Sequence, residues 1–341
     1  MPGGWRMGGR LCIQAARPVY RLLAPVPFPG IARHCSRPVR SGACQPGDWW
    51  RVAVLRYGAS EPDDGMWMSE LPLVGLAAQI SDLHANPALL RDEPRDIELH
   101  DFFMADVLAG DWRPLAEQAR KLLRGHAGRL GIHGPFWGLD ISSPDPEVQA
   151  IVARRMDQAL DVCACLEASQ MVIHSPYTLW DHHTLDHFAW RSAYDWIIAN
   201  CHACLRPAVE RAEALGVTLV IENVQDKDPG IRADLVRSFG SDAVALSVDT
   251  GHAHFMNGIG HAPPVDFFIR RAGDLLHHVH LHDGDGCADR HWPIGDGSIP
   301  WKAVFRALGE APKMPRLILE LSDKAGIPAS IARLQELGLA R

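Results

Sequence analysis

The sequence predicts one parallel α/β barrel of eight strands, a (β/α)8 barrel. From residue 68 onward, short apolar runs typical of β-strands alternate with stretches of helical spacing. There are eight such runs, which is the number of strands that closes this type of barrel. The spacing leaves no room for a second domain in residues 68–341. We therefore expect a single barrel domain.

Each strand is expected where an apolar run ends in polar residues. The predicted strands are Leu73–Ala78, Asp96–Leu99, Arg129–His133, Met171–His174, Val217–Glu222, Val244–Asp249, His277–His282 and Leu317–Leu321. Two of the helices between them are clear. Asp145–Ala168 has apolar residues at helical spacing behind a Ser-Pro-Asp-Pro start, and Trp190–Leu215 is a second long helix.

The first 67 residues differ in composition from the rest. Residues 1–47 contain no Asp or Glu and seven arginines, and they are rich in glycine and proline. We interpret residues 1–67 as a leader that is disordered or that precedes the true translation start, with the barrel domain at residues 68–341. An organelle transit peptide and a structural extension are the alternatives.

Charge, cysteines and hydropathy limit the class of protein. The net charge of −7 and the pI of about 6.2 give no general attraction to nucleic acid or membranes. The eight cysteines are scattered, so we expect a reducing, cytoplasmic environment. No uninterrupted apolar stretch reaches the 18 residues or so of a membrane span, so no membrane partner is expected.

Acidic and histidine residues cluster at the ends of the later strands. They are Glu222, Asp249, His252, His280, Asp289, His291 and Glu320. The carboxyl ends of the strands are where a (β/α)8 barrel carries its chemistry. Carboxylate and imidazole ligands without cysteine suit a divalent ion, so we expect a centre of one to three manganese, zinc, cobalt, magnesium or iron ions.

The alternation of side chains along the strands supports this centre. In the fifth strand, residues 218, 220 and 222 share one face, so Glu222 points into the barrel at its upper end. In the seventh strand, His278, His280 and His282 share one face. Histidines are costly on an inner face unless they bind something.

Several motifs together resemble a known superfamily. They are Ile-His-Gly-Pro-Phe (132–136), Val-Ile-His-Ser-Pro-Tyr (172–177), Ile-Glu-Asn (221–223), Ser-Val-Asp-Thr-Gly-His (247–252), His-Val-His-Leu-His-Asp (278–283), Asp-Arg-His-Trp-Pro-Ile-Gly-Asp-Gly (289–297) and Leu-Glu-Leu (319–321). In this order and spacing they resemble the xylose isomerase-like TIM barrels. That superfamily includes sugar-phosphate isomerases and epimerases as well as endonuclease IV. The resemblance covers roughly residues 71–340.

The resemblance implies roles for individual residues. The four-ligand metal site of the isomerases and epimerases is matched by Glu222, Asp249, His280 and Glu320. His252 matches a position that binds substrate in epimerases and a second metal in endonuclease IV. Further ligands of the multinuclear endonuclease are matched by His133, His174, Asp289 and His291. A homo-oligomer is also plausible from the family.

Sugar isomerisation or epimerisation requires removal of a proton next to a carbonyl. A divalent ion stabilises the resulting enediolate, and two carboxylates can take and return the proton. Glu222 and Glu320 are the expected catalytic pair, and a small sugar, sugar phosphate or polyol is the expected substrate. The alternatives are an endonuclease IV-like phosphodiesterase acting on abasic DNA, or another metal-dependent lyase or hydrolase. Residues 48–341 carry a net charge of about −14, which makes nucleic acid the less favoured partner.

Overall fold

The computed structural model describes residues 70–90, 93–185 and 191–341, without the side chains of residues 184, 185, 191 and 192. The predicted leader, residues 1–67, lies outside the described residues. Within the described ranges, no helix is both long enough and apolar enough to cross a bilayer.

Eight parallel strands close into a barrel, as predicted. They are β1 (Gly75–Ala78), β2 (Ile97–Leu99), β3 (Leu130–His133), β4 (Gln170–His174), β5 (Thr218–Glu222), β6 (Val244–Asp249), β7 (Leu276–Leu281) and β8 (Arg316–Leu319). Each strand pairs with the next in sequence, and β8 pairs with β1. The predicted boundaries differ from these by at most two residues.

Helices connect successive strands and cover the outside of the barrel. They are α1 (Ile80–Ala85), α2 (Ala105–Ala109), α3 (Arg113–Leu122), α4 (Pro146–Leu166), α5 (Leu179–Leu185), α6 (Arg191–Leu215), α7 (Pro229–Phe239), α8 (Thr250–Gly260), α9 (Val265–Ala272), α10 (Trp301–Gly309) and α11 (Ile327–Glu336). Single turns of 3-10 helix lie at Pro87–Leu90, Gly273–Leu275 and Lys324–Gly326.

Local signals in the sequence explain where the clearest helix begins and ends. The Asp145 carboxylate accepts a hydrogen bond from Glu147 N at 2.8 Å, and Pro146 occupies the first helical position. Both features are preferred at a helix start. Helix α4 ends at Glu167, whose φ of 56° is left-handed. The predicted helix at 145–168 is therefore confirmed with its capping residue.

Strand alternation separates the inside of the barrel from its outer core. Val172, Val220 and Ala245 form a small buried cluster of their own, whereas Leu219 and Ile221 belong to the large core that contacts the helices. Residues one position apart face opposite sides of a strand. The predicted inward direction of Glu222, which shares a face with Val220, is therefore confirmed.

A local irregularity sets the phase of β7. Leu246 pairs with Leu276, but the next residue of β6, Ser247, pairs with His278. The extra residue on β7 is a β-bulge, which redirects the side chains that follow it. As a result His280 lies beside Asp249 at the upper end of the barrel.

Candidate metal centre

Four predicted ligands meet at the mouth of the barrel. Glu222 and Asp249 end β5 and β6, His280 lies in β7, and Glu320 follows β8. One ligand atom from each lies within 4.8 Å of the others. His280 Nδ1 is 3.2 Å from Glu222 Oε2 and 3.3 Å from Glu320 Oε2. Asp249 Oδ2 is 3.7 Å from the same nitrogen.

The donor atoms of this group fit a divalent ion. Glu222 Oε2 and His280 Nδ1 are buried and have no hydrogen-bond partner among the described residues. Burying several carboxylates together costs free energy unless positive charge balances them. Carboxylate oxygens and one imidazole nitrogen are suitable ligands for manganese, zinc, cobalt, magnesium or iron.

The electrostatics show what balances the charge when no metal is bound. Burial by itself raises the pKa of Glu222, but His280 and His252 outweigh it and hold that pKa well below its usual range. Burial opposes charge on His280, yet Glu320, Glu222 and Glu98 raise its pKa well above 6.5. A proton on His280 therefore takes the position of the cation in the metal-free protein.

A second group shares Glu222 with the first. His133 and His174 lie with Glu222 close enough to hold an ion. His133 Nδ1 faces Gly134 O at 2.9 Å, so it donates and leaves Nε2 with a lone pair. Burial lowers the pKa of His133, and it lowers the pKa of His174 to about 3. Both imidazoles are therefore neutral, as metal binding requires.

A third group is formed by His252, Asp289 and His291. The Nδ1 atoms of both histidines face backbone carbonyls at 2.9 Å, Asn223 O for His252 and Glu320 O for His291. Their Nε2 atoms face the Asp289 carboxylate at 3.3 Å and 3.1 Å respectively. A backbone contact that orients the imidazole is the usual arrangement behind a metal-bound histidine.

Asp249 is held in place by its own helix and by a neighbouring histidine. Its Oδ1 accepts a hydrogen bond from His252 N at 2.6 Å, so Asp249 caps α8. His282 Nε2 lies 3.0 Å from both Asp249 oxygens. The structure places His282 behind Asp249, fully buried and stacked on His291 with ring centroids 3.9 Å apart.

A buried polar network joins the ends of β5 and β6. Asn223 accepts a hydrogen bond from Asp249 N at 2.9 Å and donates one to Asp249 O at 3.0 Å. Arg232 donates to Ile221 O at 2.6 Å, and its Nε lies 3.2 Å from Asp226 Oδ1. These contacts hold the backbone around Glu222 and Asp249 in one arrangement.

Sequence reasoning missed two residues of the site, Glu98 in the middle of β2 and His100 directly after β2. Glu98 Oε1 contacts His280 Nε2 at 2.9 Å and His100 Nε2 at 3.0 Å. The Ile-Glu-Leu-His sequence at 97–100 is itself a signal, since an apolar run ends in a histidine as in β3 and β4.

The loop after β7 is organised by a buried aspartate. Asp283 Oδ2 accepts hydrogen bonds from Gly295 N and Trp301 Nε1, both at 2.8 Å, and Oδ1 accepts one from Ile299 N at 3.1 Å. A Cβ on Gly297 would lie 2.4 Å from Asp283 Oδ1, so this position requires glycine. Residues 294–297 form a turn, and Asp283 fixes the loop that carries Asp289 and His291.

Two cavities adjoin the metal groups. The larger, of about 620 Å³, has a wall of both polar and apolar residues, consisting of Gln79, Asp82, Ala85, Asn86, Leu89, His100, Phe103, His291, Glu320, Leu321, Ser322, Asp323, Lys324 and Ala325. The other, of about 400 Å³, reaches His174, on which Phe136 stacks with ring centroids 4.1 Å apart. A cavity with both polar and apolar side chains beside buried carboxylates can accept a small polyhydroxyl ligand.

Comparison with known proteins agrees with the barrel fold. The family model described as xylose isomerase-like TIM barrel matches residues 97–337. The chain belongs to this family. An uncharacterised protein of Methanocaldococcus jannaschii is 25% identical over 245 residues, which are 68% of this chain and 78% of that protein.

Two solved structures illustrate the family fold. A D-tagatose 3-epimerase-like protein matches with a TM-score of 0.63 and 20% identity, over 77% of this chain and 96% of its own. A protein of Thermus thermophilus, soaked with zinc chloride, matches with a TM-score of 0.59 and 29% identity, over 79% of this chain and 99% of its own. The first of these likenesses concerns the fold alone.

Proposed function

We propose that the protein is a divalent-metal-dependent isomerase or epimerase of a small sugar, sugar phosphate or polyol. The observation that carries the proposal is the convergence of Glu222 and Glu320 on His280 Nδ1, at 3.2 Å and 3.3 Å. Glu222 ends β5 and Glu320 follows β8, so the two carboxylates lie on different sides of the barrel mouth. The sugar epimerase-like structure of the same fold adds support.

The proposed metal site consists of Glu222, Asp249, His280 and Glu320. When bound there, the ion would polarise the substrate carbonyl and stabilise the negative charge that develops on proton removal. Glu320 borders the larger cavity, so it can reach a substrate proton from that side. Glu222 is the partner that returns a proton from across the site.

The cavity wall supplies groups that can orient a polyol. Gln79, Asn86 and Ser322 can donate and accept hydrogen bonds, and Asp82 can accept them from sugar hydroxyls. Correct orientation of the reacting carbon against the carboxylates accounts for much of the rate of such a step.

Exchange of substrate hydrogen with solvent tests the proposed chemistry. Chelated protein reloaded with Mn²⁺ is incubated in D₂O with ketopentoses, ketohexoses and their phosphates, and deuterium at the carbon beside the carbonyl is followed by NMR. We expect exchange with at least one sugar. Glu320→Gln should lower it by about 10²- to 10⁴-fold, whereas the exposed Glu310→Gln should leave it unchanged. No exchange with any of these sugars would refute the proposal.

One observation favours a second candidate, a metal-dependent hydrolase of phosphate diesters. Two further groups could each hold an ion. The second group contains His133 and His174, and the third contains His252, Asp289 and His291. Two or three ions can activate water and balance charge on a leaving oxygen. The acidic net charge of residues 48–341 argues against DNA as substrate.

Metal content separates the two candidates. One ion per chain by elemental analysis favours the isomerase or epimerase. Two or three ions per chain, with cleavage of abasic-site duplex DNA or of bis(4-nitrophenyl) phosphate by the zinc-loaded protein, would favour the hydrolase.

A further inference from the structure

A buried carboxylate lies directly behind the candidate metal centre. Glu98 is the middle residue of the short strand β2 and is only 3% exposed. It lies too deep in the barrel to border either cavity. A buried carboxylate is retained at a free-energy cost unless its oxygens are well satisfied. The groups that satisfy Glu98 are all histidines.

Three imidazole nitrogens surround the two oxygens of Glu98. Oε1 accepts hydrogen bonds from His280 Nε2 at 2.9 Å and from His100 Nε2 at 3.0 Å. Oε2 lies 3.0 Å from His278 Nε2, although the direction of this contact is not that of a hydrogen bond. His278 has a second contact, from Nδ1 to Ser247 Oγ at 2.8 Å.

These contacts decide which nitrogen of His280 is available to an ion. An ionised carboxylate only accepts hydrogen bonds, so His280 Nε2 must carry the proton in the contact with Glu98. When His280 releases its Nδ1 proton on metal binding, the neutral imidazole keeps only the N–H at Nε2, and Nδ1 presents a lone pair. That atom faces the carboxylates of Glu222, Asp249 and Glu320.

We propose that Glu98 is a positioning residue that sets the tautomer and orientation of His280 for metal binding, and that it holds His100 at the cavity wall through the same oxygen. Glu98 itself does not touch the ion. The inference rests on the proposed metal site. It adds that affinity for the ion depends on a carboxylate contributed by β2, on the far side of the barrel from β6.

The competing explanation is that Glu98 only balances the buried His278. The two explanations predict different effects on metal affinity for substitutions at Glu98 and at Ser247. Ser247→Ala removes the other contact of His278 and leaves the His280 contact intact, so it is the matched control. Glu98→Gln removes the charge at nearly constant volume, and Glu98→Asp keeps the charge but withdraws the oxygens by one methylene.

The test is calorimetric titration of Mn²⁺ and Zn²⁺ into chelated protein. We expect the Kd for the ion to rise about 10- to 100-fold in Glu98→Gln, which is the range typical for loss of a group behind a metal-bound histidine. The Kd should also rise in Glu98→Asp. Ser247→Ala should keep the wild-type Kd. If either Glu98 variant binds both ions within twofold of the wild type, or if Ser247→Ala weakens binding as strongly, the inference is overturned.

A spectroscopic measurement covers the case in which Glu98→Gln does not fold. In the zinc-loaded wild type, the ¹⁵N spectrum should show His280 with a proton on Nε2 that exchanges slowly, assigned by its absence in His280→Gln. Faster exchange of that proton is expected in Glu98→Asp, and an unchanged rate would contradict the inference. A protein that binds metal in this way but exchanges no sugar hydrogen would refute the proposed function and leave the role of Glu98 standing.

Discussion

Replacing Asp283 by alanine should destabilise the protein without touching any proposed ligand. Asp283 is 1% exposed. Its carboxylate accepts hydrogen bonds from three buried donors, which are Gly284 N, Ile299 N and Trp301 Nε1. Alanine would leave these three donors without an acceptor. Each unsatisfied buried donor costs about 1–3 kcal/mol, which sums to roughly 3–9 kcal/mol. Single substitutions rarely exceed about 5 kcal/mol, because the loop relaxes and water enters.

We therefore expect a loss of about 3–5 kcal/mol in the free energy of unfolding. The assay is urea unfolding of the chelated protein, monitored by tryptophan fluorescence. The urea midpoints are compared for proteins whose unfolding free energy depends equally on urea concentration. Asp285→Asn, which removes an exposed ion pair with Arg290 in the same loop, is the control and should leave the urea midpoint nearly unchanged. A loss below about 1 kcal/mol for Asp283→Ala would refute the reasoning.

Three further predictions concern the site and the chain start. Because the pKa of His280 is raised well above 6.5 while those of Glu222 and Asp249 are lowered, metal binding to the central group should release about one proton. Affinity for the ion should therefore rise with pH. Calorimetry in buffers of different ionisation heat measures the number of protons released, and a value of zero would contradict this prediction. In Gly251→Ala the new Cβ would lie 1.9 Å from His282 Cε1, so stability should fall by about 1–3 kcal/mol and metal affinity should weaken. Equal urea midpoints would argue against this clash. A chain that begins at Met68 should fold with an unchanged urea midpoint, and failure to fold would show that the leader is structural.

The sequence by itself predicted the barrel and most of the candidate site. Strand side chains alternate with a period of two, so the apolar runs indicated both where the strands lie and that Glu222 faces inward. Parallel strands end at the same edge of a sheet, so residues that follow strands, such as Asp249 and Glu320, were expected to meet. The start of α4 was readable because Asp145 and Pro146 act within the first turn.

Only the tertiary structure decided how the histidines are divided among the candidate ion-binding groups. His280 and His282 share one strand face in sequence, yet His280 joins the central group, whereas His282 supports Asp249 and lies in another group with His291 and Glu320. The bulge between β6 and β7 contributes to this division, because it sets which residue of β7 pairs with Asp249. A register of this kind depends on two strands at once and has no signal within either of them.

Glu98 shows the limit of sequence reasoning most directly. A single carboxylate in a three-residue strand looks like any polar position of an alternating strand. Its partners His278 and His280 lie about 180 residues further along the chain, and β2 and β7 are not neighbours in the sheet. These residues meet only because the barrel closes and turns their side chains toward one interior. The sequence therefore determined which residues reach the mouth of the barrel, while closure of the barrel decided which of them orient the others.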